Sequence, residues 1–244
     1  MRVFFKKEFK CSSSKNHFIF ICDHATNFIP KKYNNLGISK KYYNSHIAYD
    51  IGAKSICVEL AKSLNQSYFL SNFSRLIIDP NRKKSDEDLI PSDSFGITIP
   101  GNKNISSKEK DFRIKYFYLH YHNNLAKFVK VKLKSYKKIF LVSVHSFTKS
   151  SINFDRGVEV GLLWNKKMNL LLEIQKKLQK KKIHYGRNFP YSGFHLNYTL
   201  DTLSKISEMD NISIEIRNDL ICSKKGIKKY VNIFSNIFKD YLNE

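Results

Sequence analysis

Three polar residues of chemically useful type stand at the ends of apolar runs. His24 follows residues 18–22 (FIFIC) and Asp23, His145 follows residues 139–144 (IFLVSV), and Glu215 lies among Ile212, Ile214 and Ile216. In open α/β sheets, ligands bind outside the carboxyl ends of the strands, so such placement would gather these residues at one sheet edge. Two imidazoles and a carboxylate, with Asp50 at the start of a helical pattern, are the parts of a catalytic zinc site. Such a site uses three nitrogen or oxygen ligands and keeps one position for water. Taken singly, each is weak, because a lone histidine after a strand is more often a satisfied structural group than a ligand. A second set follows in Ser74-Arg75-Leu76-Ile77-Ile78-Asp79-Pro80-Asn81-Arg82. Its two arginines and Asn81 suit bidentate recognition of a carboxylate. The competing reading pairs an arginine with Asp79, or with Asp86, Glu87 and Asp88 downstream.

The elements that must position these groups are read from periodicity. Residues 18–22 and 139–144 are continuous apolar strands, 158–164 is another, and 212–217 alternates as a strand. Residues 74–78, with 68–70 before them, read as a second strand region. Helical spacing begins near Asp50, recurs over 112–133 and 166–180, and closes the chain on a stripe from Ile227 to Tyr241. Residues 81–110 show no clear period and hold Pro91, Gly96, Pro100 and Gly101, as a lid or binding loop would. Strands alternating with helices predict a single α/β domain over residues 1–244, with a mostly parallel or mixed sheet covered on both faces.

The chain has 244 residues and a formal charge of +22, and this charge invites a nucleic-acid reading. Only seven of the 43 basic residues are arginine, which leaves 36 scattered lysines. A face built to read phosphates and bases would draw on arginine, so the charge reads as a solvated lysine surplus and no nucleic-acid partner is expected. Hydrophobic content of 42% excludes a disordered chain. No run is long and apolar enough for a membrane span, and the first residues carry no signal-peptide pattern. Cys11, Cys22, Cys57 and Cys222 form no CxxC pair and are expected as reduced thiols in a cytoplasmic protein.

Six ordered motifs carry a resemblance. Cys22-Asp23-His24-Ala25-Thr26-Asn27-Phe28-Ile29-Pro30 and His46-Ile47-Ala48-Tyr49-Asp50-Ile51-Gly52-Ala53 come first. The Ser74 to Arg82 segment, Ile99-Pro100-Gly101-Asn102, Val144-His145-Ser146-Phe147-Thr148 and Glu215-Ile216-Arg217-Asn218-Asp219-Leu220-Ile221 follow. Together they resemble the N-formylglutamate amidohydrolase family over roughly residues 18–222. The resemblance implies a fold like the zinc carboxypeptidases and aspartoacylase-type deacylases, one Zn2+ or other divalent metal per chain, and a small anionic N-acyl amino acid as substrate. It implies hydrolysis of N-formyl-L-glutamate to formate and L-glutamate, the last step of one route of histidine breakdown. His24 and His145 resemble the two histidine ligands, and Glu215 the catalytic glutamate. Asn27 stands where that superfamily's HxxE pattern has Glu. Asp50 is therefore the expected replacement ligand, with His46 as the competitor. Asn81 and Arg82 resemble the pair that holds a substrate α-carboxylate, with Arg75 as a second cationic contact. Arg217, on the face of Glu215 if the strand is regular, is the expected second anchor or an orienter of Glu215.

Other residues take the plain reading. His120 and His122 do not share a helix face at i, i+2. His17 and His184 have no partner pattern, whereas His195 could line a pocket and Trp164 is expected in the core or a pocket wall. Arg156 and Arg187 lie in loop segments similar to the family's but with no clear role. Ser146 lacks a GxSxG elbow, which argues against a serine nucleophile. Alternatives to the N-formylglutamate reading are a related deacylase with another N-acyl or small amide substrate, and a basic nucleic-acid-binding protein without catalysis.

Overall fold

The computed structural model describes residues 2–9, 14–150 and 154–242; Cys11 lies outside them. Its strands are β1 (Phe4–Lys7), β2 (Asn16–Cys22), β3 (Ser67–Ser71), β4 (Asp93–Ser94), β5 (Ile97–Thr98), β6 (Lys138–Phe147), β7 (Val160–Leu163), β8 (Tyr185–Arg187) and β9 (Asp210–Arg217). Seven of them form one sheet in the order β1-β3-β2-β6-β9-β7-β8, and β4 and β5 make a separate hairpin. The four central strands β3, β2, β6 and β9 run parallel. β1 closes one edge antiparallel to β3, and on the other side β7 reverses direction against β9 before β8 rejoins it in parallel. The sheet is therefore mixed, as expected.

The helices are α1 (Lys40–Tyr43), α2 (Ala53–Ser63), α3 (Ser107–Arg113), α4 (His120–Leu133), α5 (Asn169–Lys180), α6 (Gly193–Leu196), α7 (Tyr198–Ser204) and α8 (Lys224–Leu242). Successive strand side chains point to opposite faces, and the sheet uses this to build two cores. Phe18, Phe20, Phe140, Val142, Val144, Ile212, Ile214 and Ile216 turn to the face covered by α2, α5 and α8. Ile19, Ile21, Ile139 and Leu141 turn to the face covered by α4, α7 and the chain around residues 73–99. On β6 and β9, Ser143, His145, Ser213 and Glu215 fall on this second parity. Apolar period-two patterning on one face thus leaves the opposite positions of the same strands for polar chemistry.

Two expectations need correction. Residues 74–78 are turns, and the strand lies earlier, at Ser67–Ser71. Leu76, Ile77 and Ile78 are nevertheless fully buried. Their apolar run reflects a buried loop, fixed by bonds such as Ser74 N–H to Phe28 O at 2.8 Å and Asp79 N–H to Leu89 O at 2.7 Å. The expected helix over 112–133 is interrupted by a π-helical turn, Ile114–Leu119, between α3 and α4. The long segment 81–110 carries the β4–β5 hairpin, and Asn102 pins it by donating to Leu76 O and Pro91 O, each at 2.7 Å. Arg113, buried, braces the same segment through Asn102 Oδ1 at 2.7 Å and Ile77 O at 3.1 Å. Among the described residues no helix is long and apolar enough to cross a membrane.

Candidate metal centre and active-site pocket

β2, β6 and β9 end side by side, and their carboxyl ends deliver the first chemistry. His145 and Glu215 are direct partners in the β6–β9 register. His24 follows β2, and the Asp50 backbone N–H donates to the His24 carbonyl at 2.9 Å, which brings the turn before α2 against it. Gly52 permits this turn: its φ is +82°, and a Cβ there would lie 2.5 Å from Ile221 O. On the other flank Gly161 pairs with Glu215, where a Cβ would lie 3.1 Å from the Glu215 Cβ and 2.6 Å from Phe189 O. The glutamate therefore has room only because its cross-strand neighbour has no side chain.

His24, Asp50 and His145 are all buried and bring one ligand atom each to within 4.8 Å of one another. Asp50 Oδ2 sits 3.3 Å from His24 Nδ1 and 2.9 Å from His145 Nδ1. A tetrahedral zinc with bonds of about 2.0–2.2 Å separates its ligand atoms by roughly 3.3–3.6 Å, so this group needs little rearrangement to hold one. The remote imidazole nitrogens are already committed. His24 Nε2 lies 2.8 Å from Asp79 Oδ1. His145 Nε2 lies 2.9 Å from Ser143 Oγ and 3.6 Å from Asp23 Oδ2. Asp23 is itself held by Tyr121 OH at 2.8 Å and Thr199 Oγ1 at 3.0 Å. Such outer carboxylates fix ring orientation and tautomer, and they leave both Nδ1 atoms facing Asp50 Oδ2.

The electrostatics agree with a cation site. Burial by itself would push the Asp50 carboxyl up, but Arg75 and His24 hold it well below the usual range. Burial would lower His145, yet its bonds to Asp23 and Asp50 raise it well above the ordinary imidazole value. Burial pushes Glu215 up to about 7, with Asp50 adding to the rise and His145 opposing it. Glu215 Oε2 is buried without a hydrogen-bond partner. Asp50 Oδ1 also lacks a well-aligned hydrogen bond, although Arg75 Nη1 stands 3.2 Å away as an ion pair. Buried acids short of partners beside two convergent imidazoles fit a divalent metal.

His46, the competing ligand, stays outside that group. Its Nδ1 is 3.8 Å from Asp50 Oδ1, on the side of Arg75, and burial followed by the Arg75 charge lowers its pKa to about 3. The candidate ligands and Glu215 open on a cavity of about 310 Å³, which Arg75, Arg82, Arg156, Tyr191 and Phe95 also line.

A family model for N-formylglutamate amidohydrolase matches residues 16–222. The chain belongs to this family. Amide-bond hydrolysis is the chemistry that membership brings to the site. A gene product of Agrobacterium tumefaciens is similar at 26% identity, with 100% of this chain and 96% of that one covered and a TM-score of 0.92. An N-formylglutamate amidohydrolase from Ralstonia eutropha JMP134 shares the fold at 15% identity, with a TM-score of 0.69 and coverage of 100% and 99%. No curated protein matches the chain significantly.

Within this N-formylglutamate amidohydrolase family member, the expected anchors divide. Arg75 reaches the pocket but donates Nε to Ile47 O at 3.1 Å, bonds His46 O, and pairs with Asp50. Asn81 donates Nδ2 to Leu196 O at 2.9 Å and accepts Thr199 N–H at 3.1 Å. Arg82 lines the pocket and pairs with Asp88 at 2.6 Å and Asp79 at 3.8 Å, which is the acidic pairing weighed against substrate binding in the sequence. Arg217 does not line the pocket. It shares the strand parity of Glu215, but at the end of β9 its guanidinium turns to Asp219, with Nε at 2.8 Å. Three groups gain a defined place at the site only in the fold: Asp23 and Asp79 behind the histidines, and Arg156 beside Tyr191. DxN spacing in Asp79-Pro80-Asn81 was a usable signal for the second. Nothing in the sequence around Arg156 indicates where its loop returns.

Proposed function

We propose that this chain hydrolyses N-formyl-L-glutamate to formate and L-glutamate. The observation that carries the proposal is the convergence of His24, Asp50 and His145 beside Glu215 in a pocket of about 310 Å³ walled by arginines, within a chain of this family. His24 Nδ1, a carboxylate oxygen of Asp50 and His145 Nδ1 would hold zinc, which when bound supplies Lewis acidity to the formamide carbonyl and to water. Glu215 removes a proton from the attacking water and returns it to the departing amine nitrogen as the C–N bond breaks. Its elevated pKa suits both halves of that transfer, because a carboxyl near neutrality can accept and then release the proton. Asp79 and Asp23 keep the two imidazoles oriented, and Arg75 holds Asp50 from behind. Asn81 and Arg82 take the substrate α-carboxylate, so positioning falls to the loop and proton movement to the strands. Arg217 enters only as the residue that, with Asp219, shapes the end of β9.

Two measurements test the proposal. Metal analysis of the purified chain is expected to give about one zinc per chain, abolished in H145A. Formate, acetate or succinate release from the formyl, acetyl and succinyl derivatives of glutamate and aspartate is expected to be fastest from N-formyl-L-glutamate. Faster release from another N-acyl amino acid would replace this reading with the related-deacylase one.

A further inference from the structure

The pocket's arginines are not equivalent. Arg75 is neutralised by Asp50 and Arg82 by Asp88 and Asp79. Arg156 is 8% exposed, and among the described residues it has no acidic partner. Its Nη1 donates to Thr148 O at 3.0 Å and Thr148 Oγ1 at 3.2 Å, while its Nε is buried without a hydrogen-bond partner. The guanidinium is held in place by two rings, its Cζ lying 5.6 Å from the Phe147 centroid and 5.0 Å from that of Tyr191. Removing an arginine from water without a counter-charge is costly, whereas a carboxylate that arrives with a substrate restores the balance through charge-assisted, forked hydrogen bonds. Phe147 ends β6 two residues after His145, so the ring that carries Arg156 is fixed to the same strand as a candidate metal ligand.

We infer that Arg156, within cation–π reach of Phe147 and Tyr191, receives the side-chain carboxylate of a dicarboxylic substrate and sets the preference for acidic over neutral N-acyl amino acids. The inference rests on the amidohydrolase reading for its substrate class. It assigns the distal carboxylate to the pocket arginine that has no acidic partner among the described residues and leaves the α-carboxylate to Asn81 and Arg82. Tyr191, whose hydroxyl burial holds in the protonated form, adds a donor at the same end of the cavity.

The test uses zinc-loaded wild-type chain, R156Q and R156K. Each is titrated calorimetrically with L-glutamate and L-glutamine, and each is assayed with N-formyl-L-glutamate and N-formyl-L-glutamine. Wild type is expected to prefer the dicarboxylates. R156Q is expected to lower kcat/KM for N-formyl-L-glutamate about 10- to 100-fold, mainly through KM, and to leave N-formyl-L-glutamine within about threefold. R156K, which keeps the charge but not the planar fork, is expected to fall between the two. An unchanged glutamate-to-glutamine preference in R156Q, equal weakening of both ligands, or no preference in wild type would overturn the inference. Should R156Q not fold, R156K decides, because an undiminished preference in that variant overturns it equally. A wild-type chain that binds glutamate through Arg156 yet releases no formate would remove the proposed reaction and leave this inference standing.

Discussion

The strand-borne side of the pocket and its loop-borne side are built on different rules. His145 and Glu215 sit within β6 and β9 in direct register, and His24 follows β2, so the proposed metal and proton-transfer groups inherit the rigidity of four parallel strands. The other wall is chain without long strands, from Arg75 through Phe95, held by single bonds such as Asn102 to Leu76 O and Asp79 N–H to Leu89 O. Charge follows the same division. On the strand side, Asp50 Oδ1 and Glu215 Oε2 are buried without a hydrogen bond beside His24 and His145. On the loop side, Arg82 is answered by Asp79 and Asp88 from the same loop and Arg75 by Asp50, whereas Arg156, after β6, has no acidic partner among the described residues. On the proposed function, chemistry that tolerates little displacement would lie on the sheet, and selection among related substrates on loop segments.

Substitutions that respect this division should differ greatly in size of effect. E215Q, nearly isosteric, is expected to lower kcat by about 10²- to 10⁴-fold with zinc content unchanged. Near-normal turnover would break the assignment of proton transfer to the strand side. D23N removes charge behind His145 without touching the pocket and is expected to weaken zinc affinity about 10- to 100-fold, read by competition with a chromogenic chelator. Unaltered affinity would mean that Ser143 alone, 2.9 Å from His145 Nε2, orients the ring. F95A alters the β4–β5 turn, where the side chain is 53% exposed and its ring lies 5.9 Å from that of His46. Its expected effect on kcat/KM is only about two- to fivefold, because an exposed loop side chain contributes mainly to excluding water. A loss as large as that of E215Q would show that the loop side takes part in the chemistry.

The same division decided what the sequence could reveal. Apolar runs at 18–22 and 139–144 and the alternation at 212–217 announced the central strands, and the polar residue at each end then marked the sheet edge. The edge strands β1 and β8 escaped notice because they are short, and their exposed or half-buried residues carry charge instead of an apolar run. Residues 76–78 were apolar for a different reason, since they fill the second core from a turn. Asp50 was nominated from its place at a helix start and then through a resemblance, because nothing in local spacing ties it to His24. The bond from its N–H to the His24 carbonyl does so in space. Arg217 and Arg156 show the limit most clearly. Strand parity placed the first near Glu215, but one local carboxylate, Asp219, was enough to redirect it. The second sits on a loop whose return to the pocket no periodicity encodes.

The π-helical turn at Ile114–Leu119 lies between two clamps on the loop wall. Before it, Arg113 reaches Asn102 and Ile77; within it, Tyr118 OH donates to Arg82 O at 2.7 Å; after it, Tyr121 OH donates to Asp23 and His122 Nε2 to Pro80 O at 2.9 Å. A π turn takes up nearly one residue more than an α turn, and each residue advances an α-helix by about 100°. Deleting one residue there would regularise the backbone and rotate one clamp away from its target. The helix can thus accept many outward-facing substitutions but not a change of length, and its phase, more than any one side chain on it, keeps the Asp23 and Pro80–Arg82 contacts in step with the brace at Arg113.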